Sequence, residues 1–117
     1  MTAARYNLQI EQGATFRQPL ELSDPITGQP WDLSGCTARM QMRSKIASTD
    51  ILHEMTTENN GLIIDPLLGI ILMQIDAAVT TTFKFTNAVY DLELVKPDGD
   101  VVRLLMGNVA VSMEVTR

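Results

Sequence analysis

Chemistry-bearing residues are scarce in this chain. Its 117 residues include one cysteine, one histidine and one tryptophan, and aromatic residues make up only 5%. The lone thiol, Cys36, excludes an internal disulfide, and its surroundings, Asp32-Leu-Ser-Gly-Cys-Thr-Ala-Arg-Met40, offer no second ligand at a metal-binding spacing. Cys36 therefore reads as a buried structural thiol, because a free cysteine behaves as a small hydrophobe. The single His53 stands beside Glu54 with no Ser, Cys or Asp pattern that would make a nucleophile motif. Positive charge is also short: nine Lys and Arg against fourteen Asp and Glu leave a net charge of −5. A nucleic-acid or anionic-membrane surface would have to be built against that field, so neither partner is expected.

Long apolar runs are missing as well. The longest, Pro66 to Ile75, contains Gly69 and is well short of the roughly 20 residues that a membrane helix needs. The first ten residues hold one arginine and no sustained apolar stretch, so they match neither a signal nor a transit peptide, and a soluble product of the cytoplasm is expected. No glycine-rich phosphate loop follows a strand pattern: Gly107-Asn108-Val-Ala-Val-Ser-Met113 lacks both the spacing and the helix. Carboxylates such as Asp65, Asp76 and Asp91 sit at strand ends or on polar faces, where solvated charge is the ordinary role. No catalytic residue, cofactor or metal ligand is assigned.

What the chain does contain is β-patterning, at 45% apolar and 20% charged residues. Tyr6, Leu8 and Ile10 alternate with Asn7, Gln9 and Glu11, the period of a half-buried strand. Phe16, Leu20 and Leu22 face away from Arg17 and Glu21, and Pro19, with no N–H to donate, suits an edge strand or a bulge. Asp24-Pro25 and Thr27-Gly28 punctuate a connection to Trp31, whose large apolar area suits a core plug or a lid. Ala38, Met40 and Met42 alternate with Arg39, Gln41 and Arg43, and a polar loop follows from Ser44 to Asp50. A short strand around His53 and Glu54, flanked by Ile51, Leu52 and Met55, comes next. Pro66 to Gly69 reads as a tight turn, so Gly61 to Ile75 is a hairpin of two mostly buried strands joined at Asp65-Pro66. Helix is plausible only near 76–83, where Asp76 could cap a turn or two before three threonines intervene. Ala88, Tyr90, Leu92 and Leu94 then share one face.

Pro97-Asp98-Gly99-Asp100 lies between two strand patterns. Asp-Gly in that setting signals a hairpin, because glycine supplies the positive φ of the turn. A calcium loop would need further oxygen ligands and a distal glutamate, whereas this sequence turns apolar at once. Met40, Met42, Met55, Met73, Met106 and Met113 fall within strand patterns as adaptable core filler, or some of them face a neighbouring subunit. The fold class is all-β: one domain over 1–117, an antiparallel β-sandwich of about eight short strands. Bare sheet edges would aggregate, so burial of an edge in an assembly is expected.

The order of these signals resembles a known family. Gln12-Gly-Ala-Thr-Phe16, the stretch from Asp24 to Gly35 with its Gly28-x-Pro30 and Asp32-Leu-Ser-Gly35, Gly69 before the Ala-Thr turn, and Tyr90-x-Leu92-x-Leu94 before Asp98-Gly99 follow one another across nearly the whole chain. In this order they are similar to a small immunoglobulin-like β-sandwich module of tailed-bacteriophage virions, closest in pattern to the N-terminal domain of BppU-type upper baseplate proteins. The resemblance implies a non-enzymatic structural subunit of a phage or prophage tail, baseplate or neck, made in the host cytoplasm and located in the virion. It would bind other virion proteins and copies of itself as a homo-oligomer. In baseplate proteins a fibre or receptor-binding part follows the module, whereas this chain stops at Arg117, which favours a connector, cap or decoration subunit. From exposure and composition the contacts are expected at the loop from Asp24 to Trp31 (Asp24, Ile26, Gln29, Trp31), at Lys45 in the loop 44–50, and at Tyr6 in the N-terminal arm 1–6. The alternatives are a head-decoration protein, which shares the fold and assembly logic, and a carbohydrate-binding sandwich, for which the chain has few aromatic platforms. An enzyme reading would need several of His53, Glu54, Asp65 and Asp91 to converge.

Overall fold

A computed structural model of the chain describes residues 3–116. Its elements are β1 (Ala4–Arg5), β2 (Leu8–Glu11), β3 (Phe16–Glu21), β4 (Thr37–Arg43), β5 (His53–Thr56), β6 (Leu62–Asp65), β7 (Ile70–Ile75), α1 (Ala77–Thr80), β8 (Asn87–Val95) and β9 (Val101–Ser112). Because successive side chains of a strand point to opposite faces, the alternation in the sequence becomes alternation in burial. Ala38, Met40 and Met42 of β4 are buried, as are Ala88, Tyr90, Leu92 and Leu94 of β8. The two strands pair antiparallel with Met40 opposite Leu92, so these residues form one continuous inner face.

Two sheets result. The larger runs β5–β4–β8–β9 in antiparallel register, and the smaller runs β3–β7–β6, also antiparallel. On the far side of β9, β1 and β2 lie end to end and pair with it in parallel, so the nine strands occupy eight positions. Between the sheets a single apolar cluster takes Met40, Met55 and Leu92 from one side and Phe16, Ile71 and Met73 from the other. Four methionines, Met40, Met42, Met55 and Met73, are at most 1% exposed and fill the space that a richer set of aromatics would occupy.

Two features of β9 go beyond simple alternation. Leu105 pairs with Leu92 while Arg103 pairs with Glu93, which leaves Leu104 as an extra residue in a β-bulge. The bulge shifts the phase of the strand, so Leu104 and Leu105 are both buried although adjacent, and Val102 rather than Val101 turns inward. The hairpin from β8 to β9 closes through Lys96 to Asp100, with the Gly99 N–H donating to the Lys96 carbonyl and φ +92° at Gly99. It is the three-residue form, a turn followed by a glycine in the left-handed region.

Elsewhere the structure refines the expectations. β3 is an edge strand, one of the two settings, edge or bulge, that suit Pro19. The helix is a single turn; Asp76 occupies its N-cap position without a side-chain cap hydrogen bond. β6 and β7 are not mostly buried: Ile63 is 44% exposed, and Ile70 and Leu72 are only half-buried, because the strands cover the core with one face only. Met113 lies beyond β9 and is exposed rather than in a strand. Cys36 and Trp31 are half-buried, packed on the margin of the core instead of within it.

Candidate functional site

Asp24, Ile26, Gln29 and Trp31 fall on the long connection between β3 and β4, and the connection is tightly built. The Asp24 carboxylate accepts hydrogen bonds from the N–H groups of Ile26 (2.8 Å) and Thr27 (3.1 Å), which hold its pKa below the usual aspartate value. The Asp24 N–H donates to the Gln29 carbonyl, and the Gly28 N–H returns to Asp24. This closed loop pushes Ile26 into solvent at 93% exposure. Trp31 ties the loop to the body through its N–H to the Leu22 carbonyl.

The turn between β6 and β7 belongs to the same end of the molecule. Leu22 N–H donates to the Gly69 carbonyl, and Leu33 N–H donates to the Pro66 carbonyl. A Cβ on Gly69 would meet the Leu22 carbonyl oxygen at 2.6 Å and the Trp31 backbone at 3.0 Å, so only glycine lets the two loops approach this closely. The turn presents Leu67 and Leu68 to solvent, 78% and 59% exposed. Leu67 and Leu68 lie in the tight turn expected from Pro66 to Gly69, but they are not among the contact residues expected from the sequence. The signal was available, since Asp65-Pro66 with Gly69 marks a turn and turn side chains face outward.

Lys45 and Tyr6 do not join this group. Lys45 follows β4 in an exposed loop, at the end opposite to the one the 24–31 loop enters, across a seven-residue strand of roughly 23 Å. Tyr6 lies between β1 and β2 on the edge of the large sheet, 44% exposed, with its carbonyl accepting a hydrogen bond from the Tyr90 hydroxyl at 2.5 Å. Burial and the nearby Tyr6 hydroxyl push the Tyr90 pKa up to about 12. Residues 1 and 2 of the arm lie outside the described residues.

The outer face of the large sheet is polar. Arg39 meets Glu93 at 2.8 Å, Arg103 approaches Asp91 at 3.5 Å, and Gln41 donates to Glu54 at 2.7 Å. A shallow depression of about 420 Å³ lies there, lined by Arg5, Gln41, Arg43, Asp91, Arg103 and Asn108 among others. His53, Glu54, Asp65 and Asp91 do not converge. Glu54 and Asp91 share this face with Gln41 between them, His53 is packed edge-on to Phe83 at 5.3 Å, and Asp65 belongs to the other sheet. Desolvation lowers the His53 pKa. Among the described residues no group of three or more His, Cys, Asp or Glu could hold a metal ion, and no helix is long and apolar enough to cross a membrane.

No protein-family model matches this chain, and no curated protein is similar enough to count as a relative.

Proposed function

We propose that the protein is a non-enzymatic structural subunit of a tailed-bacteriophage virion, a tail, baseplate or neck component that acts through protein–protein contacts. The observation that carries this reading is the apolar end of the sandwich, where Ile26, Leu67 and Leu68 stand in solvent on loops that hydrogen bonds hold in place. Rigid loops lose little conformational entropy on binding, so apolar side chains displayed on them favour association. Chemistry that would need a catalytic group plays no part in such a role.

The sheet order supports the immunoglobulin-like part of the reading. With β3 to β9 read as strands B, C, C′, D, E, F and G, the large sheet becomes G-F-C-C′ and the small one B-E-D, the arrangement of a variable-type immunoglobulin domain. The resemblance of the motif order to baseplate modules supplies the rest. An antiserum raised against the purified chain, used for immunogold microscopy of particles from cells that encode it, tests the proposal. Label on tails or baseplates is expected; label on capsids would make it a head-decoration protein, and intact particles without label would overturn the virion reading.

The depression on the large sheet favours one second reading, a glycan-binding module, because Asp, Asn, Gln and Arg side chains are the hydrogen-bonding partners a sugar needs. Binding on a glycan array that Asp91→Ala abolishes would establish it.

A further inference from the structure

The outward side chains of β3, β7 and β6 form three cross-strand rows. Pro19, Leu72 and Ile63 stand side by side in the middle row. Glu21, Ile70 and Asp65 form the row on one side, and Arg17 and Gln74, continued by Gly61, form the row on the other. The centre is thus apolar, one flank acidic and the other basic. No ion pair within the described residues engages Arg17 or Glu21, whereas Arg39 and Arg103 on the large sheet are paired with acids of their own face. One sheet has its outer charges matched internally and the other does not.

We propose that the outer face of the small sheet is a two-fold interface, and that its occupant is a second copy of this chain. Charge complementarity selects that occupant. With a two-fold axis along the middle row, the Glu21–Ile70–Asp65 row of one copy lies over the Arg17–Gln74–Gly61 row of the other. Arg17 then meets Glu21 of the second copy, and the symmetry repeats the pair. Asp65 faces Gly61, so no acid opposes an acid, and Pro19, Leu72 and Ile63 lie against their own counterparts. Sheets packed face to face keep their strands within about 30° of each other, which holds these rows in register across three strands.

The face is small. Three strands at sheet spacing cover roughly 15 by 15 Å, well below the ~800 Å² per partner of a standard interface. The dimer is therefore weak, formed when copies are held at high local concentration. This inference deepens the subunit reading by assigning the copy-to-copy contact, but its test is separate from the immunogold test of that reading.

Sedimentation equilibrium of the purified chain, from micromolar to millimolar, measures the association. A monomer–dimer equilibrium is expected, weakened at least about tenfold by Arg17→Glu or by Glu21→Arg alone, the loss produced by about 1.4 kcal/mol. The double charge swap Arg17→Glu with Glu21→Arg restores it, because each pair is re-formed with reversed sign. Both side chains are exposed on an edge strand, and an unchanged melting temperature verifies that the variants fold. A chain that stays monomeric at every concentration overturns the proposal, as does a dimer that neither single reversal weakens or that the double swap leaves broken.

Discussion

Among the described residues Thr80 is the one buried polar residue, with 0% exposure, and its hydroxyl holds three segments together. It donates towards the Ala14 carbonyl at 2.9 Å, with the Ala77 carbonyl at 3.2 Å, and accepts the Gly13 N–H at 3.1 Å. Thr80→Val preserves shape and volume while removing both bonds between α1 and the turn that leads into β3. Each partner left unsatisfied costs about 1–3 kcal/mol when buried; Gly13 and Ala14 are only half-buried, so the low end applies to each and the sum is about 2–3 kcal/mol. Thr80→Ser keeps the bonds and loses one methyl group, which costs about 1 kcal/mol. For a chain of this length about 3 kcal/mol lowers Tm by roughly 12 °C, a large part of the 5–15 kcal/mol that a domain possesses. Urea unfolding at a constant m-value measures both variants. If Thr80→Ser proves as damaging as Thr80→Val, the residue acts by packing and the hydrogen-bond reasoning is refuted.

Three further outcomes follow from the same structure. The raised pKa of Tyr90 means that the folded state favours the neutral phenol, so its contribution is intact below about pH 10 and is lost as pH rises towards 12; Tyr90→Phe flattens that alkaline decline, measured by urea unfolding at stepped pH. For His53 the sign is opposite: the lowered pKa makes the neutral ring the folded form, stability falls as pH drops below 6.5, and His53→Gln removes that slope. Gly99→Ala and Gly69→Ala both place a Cβ at positive φ, but Gly99 has open space and loses about 1 kcal/mol, whereas Gly69 meets the Leu22 and Trp31 backbones and loses more than twice as much on the same denaturation curve.

Two groups of apolar side chains at the surface bear on the proposed contacts. Ile26, Leu67 and Leu68 stand on loops at one end, the surface proposed for a foreign partner, and Ile63 with the half-buried Ile70 and Leu72 lies on the sheet face proposed to meet a second copy. A subunit that contacts both neighbours and copies needs two such surfaces. Protection of the remaining edges agrees with this division. The Asn59 side chain accepts the Thr56 N–H at 2.8 Å and donates to the Glu54 carbonyl at 3.1 Å, occupying the outer edge of β5 as a short strand would. On β3 the outer edge carries Pro19 between Arg17 and Glu21.

Local pattern by itself determined the all-β class, the inward faces of β4 and β8 and the hairpin at Gly99, and it narrowed β3 to an edge or a bulge and the helix to a turn or two. Each depends on interactions between residues close in the chain, on the two-residue period of a strand or on the φ that a glycine or proline permits. Tertiary structure alone decided the rest. The pairing of β1 and β2 in parallel with β9 joins residues about a hundred positions apart, and no local signal encodes it. The bulge at Leu104 broke the period that the alternation relied on. Above all, an apolar run such as Pro66 to Ile75 is the same whether its second face meets the core or solvent, because hydrophobicity states that a residue gains from burial and not which neighbour covers it. Only the two-layer packing, which leaves one face of the small sheet uncovered, decided that Ile63, Ile70 and Leu72 face outward rather than into the core.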